Sequence, residues 1–532
     1  MPIATHRTSL ALLALSLVFS AIVLGYDGAR VLQVLVLALP AWMWLWWPGR
    51  SLVIRGLQAS MAGLLGVTFI VDGAVRGFML DAYEASPASS FVLTAAANTT
   101  SEETSEFLTM YWPRLLLWKL FVLASLAALI AGLWSWCRQP PAPLKATGWR
   151  VAALALIMGL VVVALVNKPW RKHHPVVFWS EWVSEVGALR SQWTKLGEQR
   201  YRMLMRAREQ APATTPDSPQ TMVLVISESI NRGHLSLYGY ARDTTPKLKA
   251  LKQVDSSKLG VFRHAWSTDA STVPALRNFF YFGNSNGDGQ HLLALASSAG
   301  YQTWWISNHD DLAIDQEHAL LADRVQMLNK TPGRSSSSLD HATLPALEQA
   351  LQDPAPRKFI VIHLLGAHPH YELRYPKEQA LFDDARDSVY QHMKAQGRSA
   401  WVREMRNEYD SALHYHDSVV AASLEITRKA GEKAVWMYFS DHGQEVGHQG
   451  NHAGHSVNTA DGYRVPLLVW GHPVEALPAQ TFMRPVRTDW LGYTVIRLLG
   501  VEWPGHRPER DVLDRPYEWI EPQLPARVDF VS

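Results

Sequence analysis

The sequence predicts an N-terminal bundle of five transmembrane α-helices followed by an α/β domain with a largely parallel central sheet. Three observations carry this expectation. Five apolar stretches of membrane-crossing length fall before residue 170. After residue 220, buried-strand runs alternate with helical runs. Between these regions, EQAPATTPDSPQ (209–220) has the Pro, Thr and Ser content of a linker. The expected divisions are 1–170 for the helical bundle, 171–220 for an amphipathic helix and linker, and 221–532 for the α/β domain. A chain of 532 residues has room for all three.

The apolar stretches run over 8–25, 31–47, 52–71, 115–136 and 151–166. Each is near the length a helix needs to cross a bilayer, about 17–25 residues. Five successive core helices of a soluble protein are the competing reading, and so few charges in five segments disfavour it. A cleaved signal peptide at the first stretch is disfavoured by the four that follow and by the lack of a small-residue cleavage site. Many of the 22 tryptophans lie in the first third, and WMWLWW (42–47) suits a membrane interface. Arg55 and Lys119 lie near segment starts, where long side chains reach the headgroups.

Basic loops set the orientation. Arg50 and Arg55 flank one turn, and Arg138, Lys145 and Arg150 another, so both turns are expected inside. The loop 73–112 carries Asp81, Glu84, Glu102, Glu103 and Glu106 and is expected outside. Alternation then puts the N-terminus inside and the chain after 166 outside, although KPWRKHH (168–174) runs against the rule locally. A net charge of +2 gives no indication of a nucleic-acid partner, and a single cysteine, Cys137, excludes an intrachain disulfide.

From Trp179, apolar residues fall at 179, 182, 186, 189, 193, 196, 201 and 204, with Arg190, Lys195 and Glu198 among the charges between them. This is helical spacing with one apolar face, suited to the membrane surface or to packing on the next domain. The α/β domain then opens. Strand runs are expected at 221–227, 301–307, 358–366, 434–440 and 465–471, and helices at 272–282, 290–298, 339–351, 401–429 and 488–499. RSSSSLD (334–340) reads as a loop.

In open α/β sheets, sites form at the carboxyl ends of strands. Here one strand ends in Glu228, a second leads to His363, His368 and His370, and a third ends in Asp441 and His442. Each has a bland reading. A glutamate after a strand is usually solvated or caps a helix, Asp-His-Gly makes a turn, and HQGNHAGH (448–455) forms a polar loop. Convergence at one sheet edge favours a shared site. Carboxylates and imidazoles together suit Zn²⁺, with Mn²⁺ as the weaker alternative.

ESINRGHLSLYGYARDTTPKL (228–248) resembles the opening signature of bacterial membrane phosphoethanolamine transferases, which belong to the alkaline phosphatase and sulfatase superfamily. SDHGQEVG (440–447) and HLLGAHPHYELRYP (363–376) resemble two further segments of that family. The chain departs from the pattern at Ser227, usually Gly, at Gln444, usually Glu, and in having no cysteines around the nucleophile segment. The SLYGYARDTTP form leans toward the branch that modifies the lipopolysaccharide-core heptose.

The resemblance implies an alkaline-phosphatase/sulfatase-like catalytic domain in the periplasm, held by five inner-membrane helices. It implies Glu228, Asp441 and His442 as metal ligands, with a nucleophilic threonine. In AWSTDASTVPALRNFF (265–280), the Thr-x-x-Ser pattern points to Thr268, while Ser267, Ser271 and Thr272 remain candidates. Some of these hydroxyls are expected only to cap the following helix. His368 would steady a phosphate or protonate a leaving oxygen, and His455 or His452 would be a second such group. The implied reaction transfers phosphoethanolamine from phosphatidylethanolamine to a hydroxyl of lipopolysaccharide or another envelope glycan, through a phospho-threonine intermediate. A phosphoglycerol transferase, a phosphoester or sulfate hydrolase, and an inactive membrane scaffold are the alternatives. The lack of a Cys/Ser-x-Pro-x-Arg motif after Trp266 disfavours a sulfatase.

Overall fold

The computed structural model describes residues 2–26, 29–46, 48–83, 86–88, 90–99, 101–138, 147–194, 196–283, 289–309, 317–329 and 338–531. Trp47, Glu84, Lys145, Lys195 and residues 334–337 lie outside them. The chain divides into two compact units, Met1–Ala97 with Phe107–Leu189, and Asn98–Glu106 with Arg190–Ser532.

The first unit is helical. Four of the five apolar stretches lie on the helices Pro2–Gly25, Leu52–Tyr83, Trp112–Arg138 and Gly148–Val166, and the described part of the other lies on Ala29–Met43 and the 3-10 turn Trp44–Trp46. Leu52–Tyr83 and Trp112–Arg138 are long and apolar enough to cross a membrane, and the apolar parts of the other three are shorter. Many large apolar side chains on these helices face outward, among them Leu64, Leu123 and Val163. Asp72 and Arg76 are buried in this unit yet paired at 2.8 Å one helical turn apart. Tyr26 and Trp179 donate to Asp72 at 2.6 and 2.9 Å, so the buried carboxylate has its partners.

The second unit is built on a seven-stranded sheet. Its strands are β1 (Thr221–Ser227), β2 (Leu259–Val261), β3 (Gln302–Ser307), β4 (Arg324–Met327), β5 (Lys358–His363), β6 (Ala434–Ser440) and β7 (Leu467–Trp470), in the spatial order β2-β7-β6-β1-β5-β3-β4. From β6 to β4 every neighbouring pair is parallel. β7 and β2 are antiparallel to their neighbours, so the sheet is mixed. Central strands covered on both faces read as unbroken apolar runs. All seven residues of β1 and of β6 are buried.

The register positions the site. Ser227 lies beside Ser440, Ile226 beside His363, and Ser307 beside His363. Four parallel strands therefore end at one level, and the residues that follow them meet along one edge. The Ala400–Arg428 helix packs on this sheet, its first turn capped by Ser399 Oγ accepting from the Val402 amide. The expected linker is pinned along part of its length. Ala213–Thr214 pairs with Val501–Glu502, and Ser218 Oγ donates to the Gly500 carbonyl at 3.0 Å.

Candidate active site and metal centre

Glu228 follows β1 directly and has no solvent exposure. Its main chain is gripped by the turn after β5, where the Ala367 amide donates to the Glu228 carbonyl at 3.0 Å. Asp340 holds that turn by accepting from the Leu365 and Gly366 amides, both at 2.8 Å. Ser229 has a left-handed backbone (φ 62°), an uncommon conformation for a residue with a side chain. The bend lets Ser229 Oγ donate to Glu228 Oε1 at 2.9 Å, while its amide donates to Asp441 Oδ1 at 3.2 Å.

Asp441 and His442 follow β6. The Asp441 amide donates to the Ser227 carbonyl, and Ser267 Oγ donates to the Asp441 carbonyl at 2.5 Å. His442 Nδ1 lies 2.7 Å from the Gly443 carbonyl. A carbonyl can only accept, so Nδ1 carries the proton and Nε2 presents its lone pair. That Nε2 is 3.3 Å from Glu228 Oε1 and 3.5 Å from Asp441 Oδ2.

The structure brings Thr272, not Thr268, into this group. Thr272 Oγ1 donates to Glu228 Oε2 at 2.5 Å and lies 3.3 Å from His442 Nε2. Thr268 Oγ1 instead accepts from Asn278 Nδ2 at 3.3 Å. Thr268 lies ahead of the helix start, whereas Thr272 lies at it. Ser271 is the N-cap of Thr272–Phe280, so Thr272 opens the helix at its positive end. Pro274 sits in the first turn, where its missing N–H costs nothing. Ser271 Oγ turns away to Asp269 Oδ1 at 2.9 Å.

The other expected histidines arrive with the ligand set. His368 Nε2 and His455 Nε2 lie 4.0 and 3.8 Å from Glu228 Oε1. His452 Nε2 lies 3.0 Å from the His455 carbonyl and so holds the backbone of its neighbour. His363 remains buried at the end of β5, its Nδ1 3.4 Å from Ser307 Oγ. Gln444 points away, donating to the Tyr371 hydroxyl at 2.9 Å. His309 was not anticipated. It follows β3, and its Nε2 lies 3.8 Å from Glu228 Oε2. The signal was available, because the strand-end rule applied to β3 leads straight to the Asn308-His309 pair.

Electrostatics fit a cation. Burial alone would raise the Glu228 carboxyl, but His442, then His368 and His309, hold it well below its usual range. Burial and the neighbouring Glu228 charge push Asp441 well above its own. Burial would lower His442, yet Asp441 and Glu228 raise it to about 9. The two carboxylates thus draw a positive charge to His442 Nε2, and a metal ion bound there in place of a proton meets the same demand. Asp441 Oδ2 is buried with no hydrogen-bond partner. The donor atoms of Glu228, Asp441 and His442 lie within 4.8 Å of one another, as do those of Glu228, His368 and His455. Oxygen and nitrogen donors, an orphaned carboxylate oxygen and an imidazole lone pair together match a zinc-type ion.

The chain is similar to several known proteins. The profile of the sulfatase family matches residues 220–501. The phosphoethanolamine transferase EptC of Escherichia coli K12 is 29% identical over 468 residues, covering 81% of this chain and 79% of that protein. The crystal structure of the C-terminal periplasmic domain of E. coli EptC in complex with zinc is 32% identical, with a TM-score of 0.54, covering 58% of this chain and 90% of that one. The integral membrane protein lipooligosaccharide phosphoethanolamine transferase A of Neisseria meningitidis shares the fold at 18% identity and a TM-score of 0.56, covering 94% of this chain and 97% of that one.

Proposed function

This chain belongs to the sulfatase family, and we propose that it is a metal-dependent phosphoethanolamine transferase of the bacterial inner membrane. Its donor is phosphatidylethanolamine and its acceptor a hydroxyl of lipopolysaccharide or a related envelope glycan. Five crossings by the N-terminal helices leave the catalytic unit in the periplasm, beside the bilayer that supplies the donor. The names of the relatives support the headgroup, and the integral-membrane neighbour that spans nearly the whole chain supports the anchoring.

The observation that carries the reading is the Thr272 hydroxyl, 2.5 Å from Glu228 Oε2 and 3.3 Å from His442 Nε2 at the start of a helix. Glu228, Asp441, His442 and Thr272 would hold zinc, which supplies Lewis acidity and a lowered pKa for a coordinated hydroxyl. Thr272 Oγ1 attacks the donor phosphorus, and the bond from phosphorus to the diacylglycerol oxygen breaks. Glu228 Oε2 stands where it can accept the threonine proton. His368 and His455 face the same carboxylate and give a proton to the departing oxygen. The acceptor hydroxyl then gives its proton to the histidine of the His368–His455 pair left neutral by the first step and attacks the phospho-threonine, and Thr272 leaves with the proton held by Glu228. Amides at the N-terminus of the Thr272–Phe280 helix favour the anionic group during both steps.

The test is intact-mass analysis and peptide mapping of the full-length protein incubated with phosphatidylethanolamine. A mass gain equal to phosphoethanolamine is expected on the peptide that contains Thr272. It is expected to vanish in Thr272→Ala and persist in Thr268→Ala. An adduct on Thr268, or one seen only with phosphatidylglycerol, would overturn the nucleophile or the donor respectively.

A further inference from the structure

We propose that the chain binds a second divalent cation of the zinc class between Glu445, His448 and Asp461, and that this ion pins the hairpin delivering His455. The cluster shares no residue with the group around Glu228. Its donor atoms lie within 4.8 Å of one another. His448 Nδ1 is 3.3 Å from Glu445 Oε1, and His448 Nε2 is 3.6 Å from Asp461 Oδ1. Glu445 is 1% exposed, and its Oε2 is buried with no hydrogen-bond partner. A buried carboxylate oxygen left in that state costs free energy unless something positive meets it.

The groups behind the cluster strengthen the argument. His234 is fully buried, and its Nδ1 lies 2.7 Å from Asp410 Oδ1. Asp410 is itself anchored by Arg242 at 2.7 Å. A carboxylate on Nδ1 fixes the proton there and leaves the Nε2 lone pair aimed outward, as in carboxylate–histidine–metal arrangements. That lone pair points at His448 Nε2, 2.9 Å away. With His448 donating from Nε2 to that lone pair, its Nδ1 accepts from the Val446 amide at 3.4 Å and faces Glu445 Oε1. A divalent cation beside this ring supplies the partner that Glu445 Oε2 lacks. Asp461 Oδ1 also accepts from Asn231 Nδ2 at 3.1 Å and Arg464 Nη1 at 3.4 Å, which orients it. Carboxylates with imidazole select a zinc-type ion over calcium, which takes six to eight oxygens.

The place in the fold supplies the reason for an ion. Glu445–Val446 pairs antiparallel with Ala453–Gly454, and His455 follows at once. The loop between them contains the His448 ligand, and the chain's single cysteine leaves no disulfide to close it. A metal tie gives such a loop the same kind of constraint.

The test uses the full-length protein carrying Glu228→Gln and Asp441→Asn, which disables both ligand groups at the first centre. After saturation with Zn²⁺ and removal of free ion, elemental analysis is expected to find about one zinc per chain. Adding His448→Gln or the near-isosteric Glu445→Gln is expected to reduce it to near zero, with circular dichroism confirming the fold. If His448→Gln does not fold, Glu445→Gln decides alone. No zinc in the Glu228→Gln, Asp441→Asn chain, or zinc that survives Glu445→Gln, would overturn the proposal.

Discussion

Glu228 shows how one side chain comes to hold a site together. Its two oxygens meet Ser229, Thr272, His442, His455, His368 and His309, each contributed by a different segment except its own neighbour Ser229. Glu228, Asp441 and His442 were legible in the sequence because they directly follow apolar runs that can only be buried strands. The proposed nucleophile was less legible. Counting spacings favours Thr268, whereas Pro274 marks where the helix begins, and in the structure Thr272 opens that helix beside Glu228. Away from this centre, Glu408 gives a pH prediction. Burial, with repulsion from Glu372 and Glu404, raises its carboxyl to about 8. The folded state therefore binds a proton that the unfolded chain has released above about pH 4.5. The resulting stabilisation is complete below that value and is lost as pH rises through about 8. Thermal unfolding of the wild type is expected to weaken across this window. Glu408→Gln should flatten the profile and gain about 1–2 kcal/mol relative to wild type above pH 8, the group's partial exposure moderating the effect. Parallel profiles for the two proteins would count against this account.

At the scale of elements, the strand ends do their work through very close turns. Gly366 lies just beyond β5 with φ +60°, and a Cβ there would stand 2.3 Å from the Glu228 carbonyl oxygen and 2.8 Å from its nitrogen. Both the backbone conformation and the lack of space require glycine. Gly366→Ala must therefore push the turn after β5 away from Glu228, moving Glu228 relative to Asp441 and carrying His368 with it. The expected cost is about 1–3 kcal/mol in stability. A displacement of the order of 1 Å at such a site lowers turnover about 10²-fold. Zinc affinity and turnover measured on the same preparation would check this, and wild-type values for both would show that the contact does not set the position of Glu228. The edge strands were harder to foresee. β7 reads as a buried apolar run like β6, and nothing in such a run records its direction, which the antiparallel Trp436–Trp470 register alone reveals. His309 is less legible for a related reason: it lies two residues past Ser307, outside the apolar run that marks β3 as a strand.

At the scale of the whole chain, the reading requires the catalytic unit and the loop after the Trp112–Arg138 helix to lie on opposite sides of one membrane. In the proposed topology that loop, with Arg138, Lys145 and Arg150, lies inside, and the acidic loop 73–112 lies outside. Cys137, the chain's single cysteine, stands at the end of that helix and is a natural reporter. Val254, 78% exposed at the end of the Pro246–Val254 helix, supplies a second site in the other unit. With a membrane-impermeant maleimide on intact spheroplasts, Cys137 of the wild type is expected to stay unmodified until the membrane is lysed. A Val254→Cys, Cys137→Ser variant is expected to react at once. Cys137 reacting before lysis would break the alternation at the fourth helix. Val254→Cys protected until lysis would put the catalytic unit on the inside, away from the periplasmic glycans it is proposed to modify.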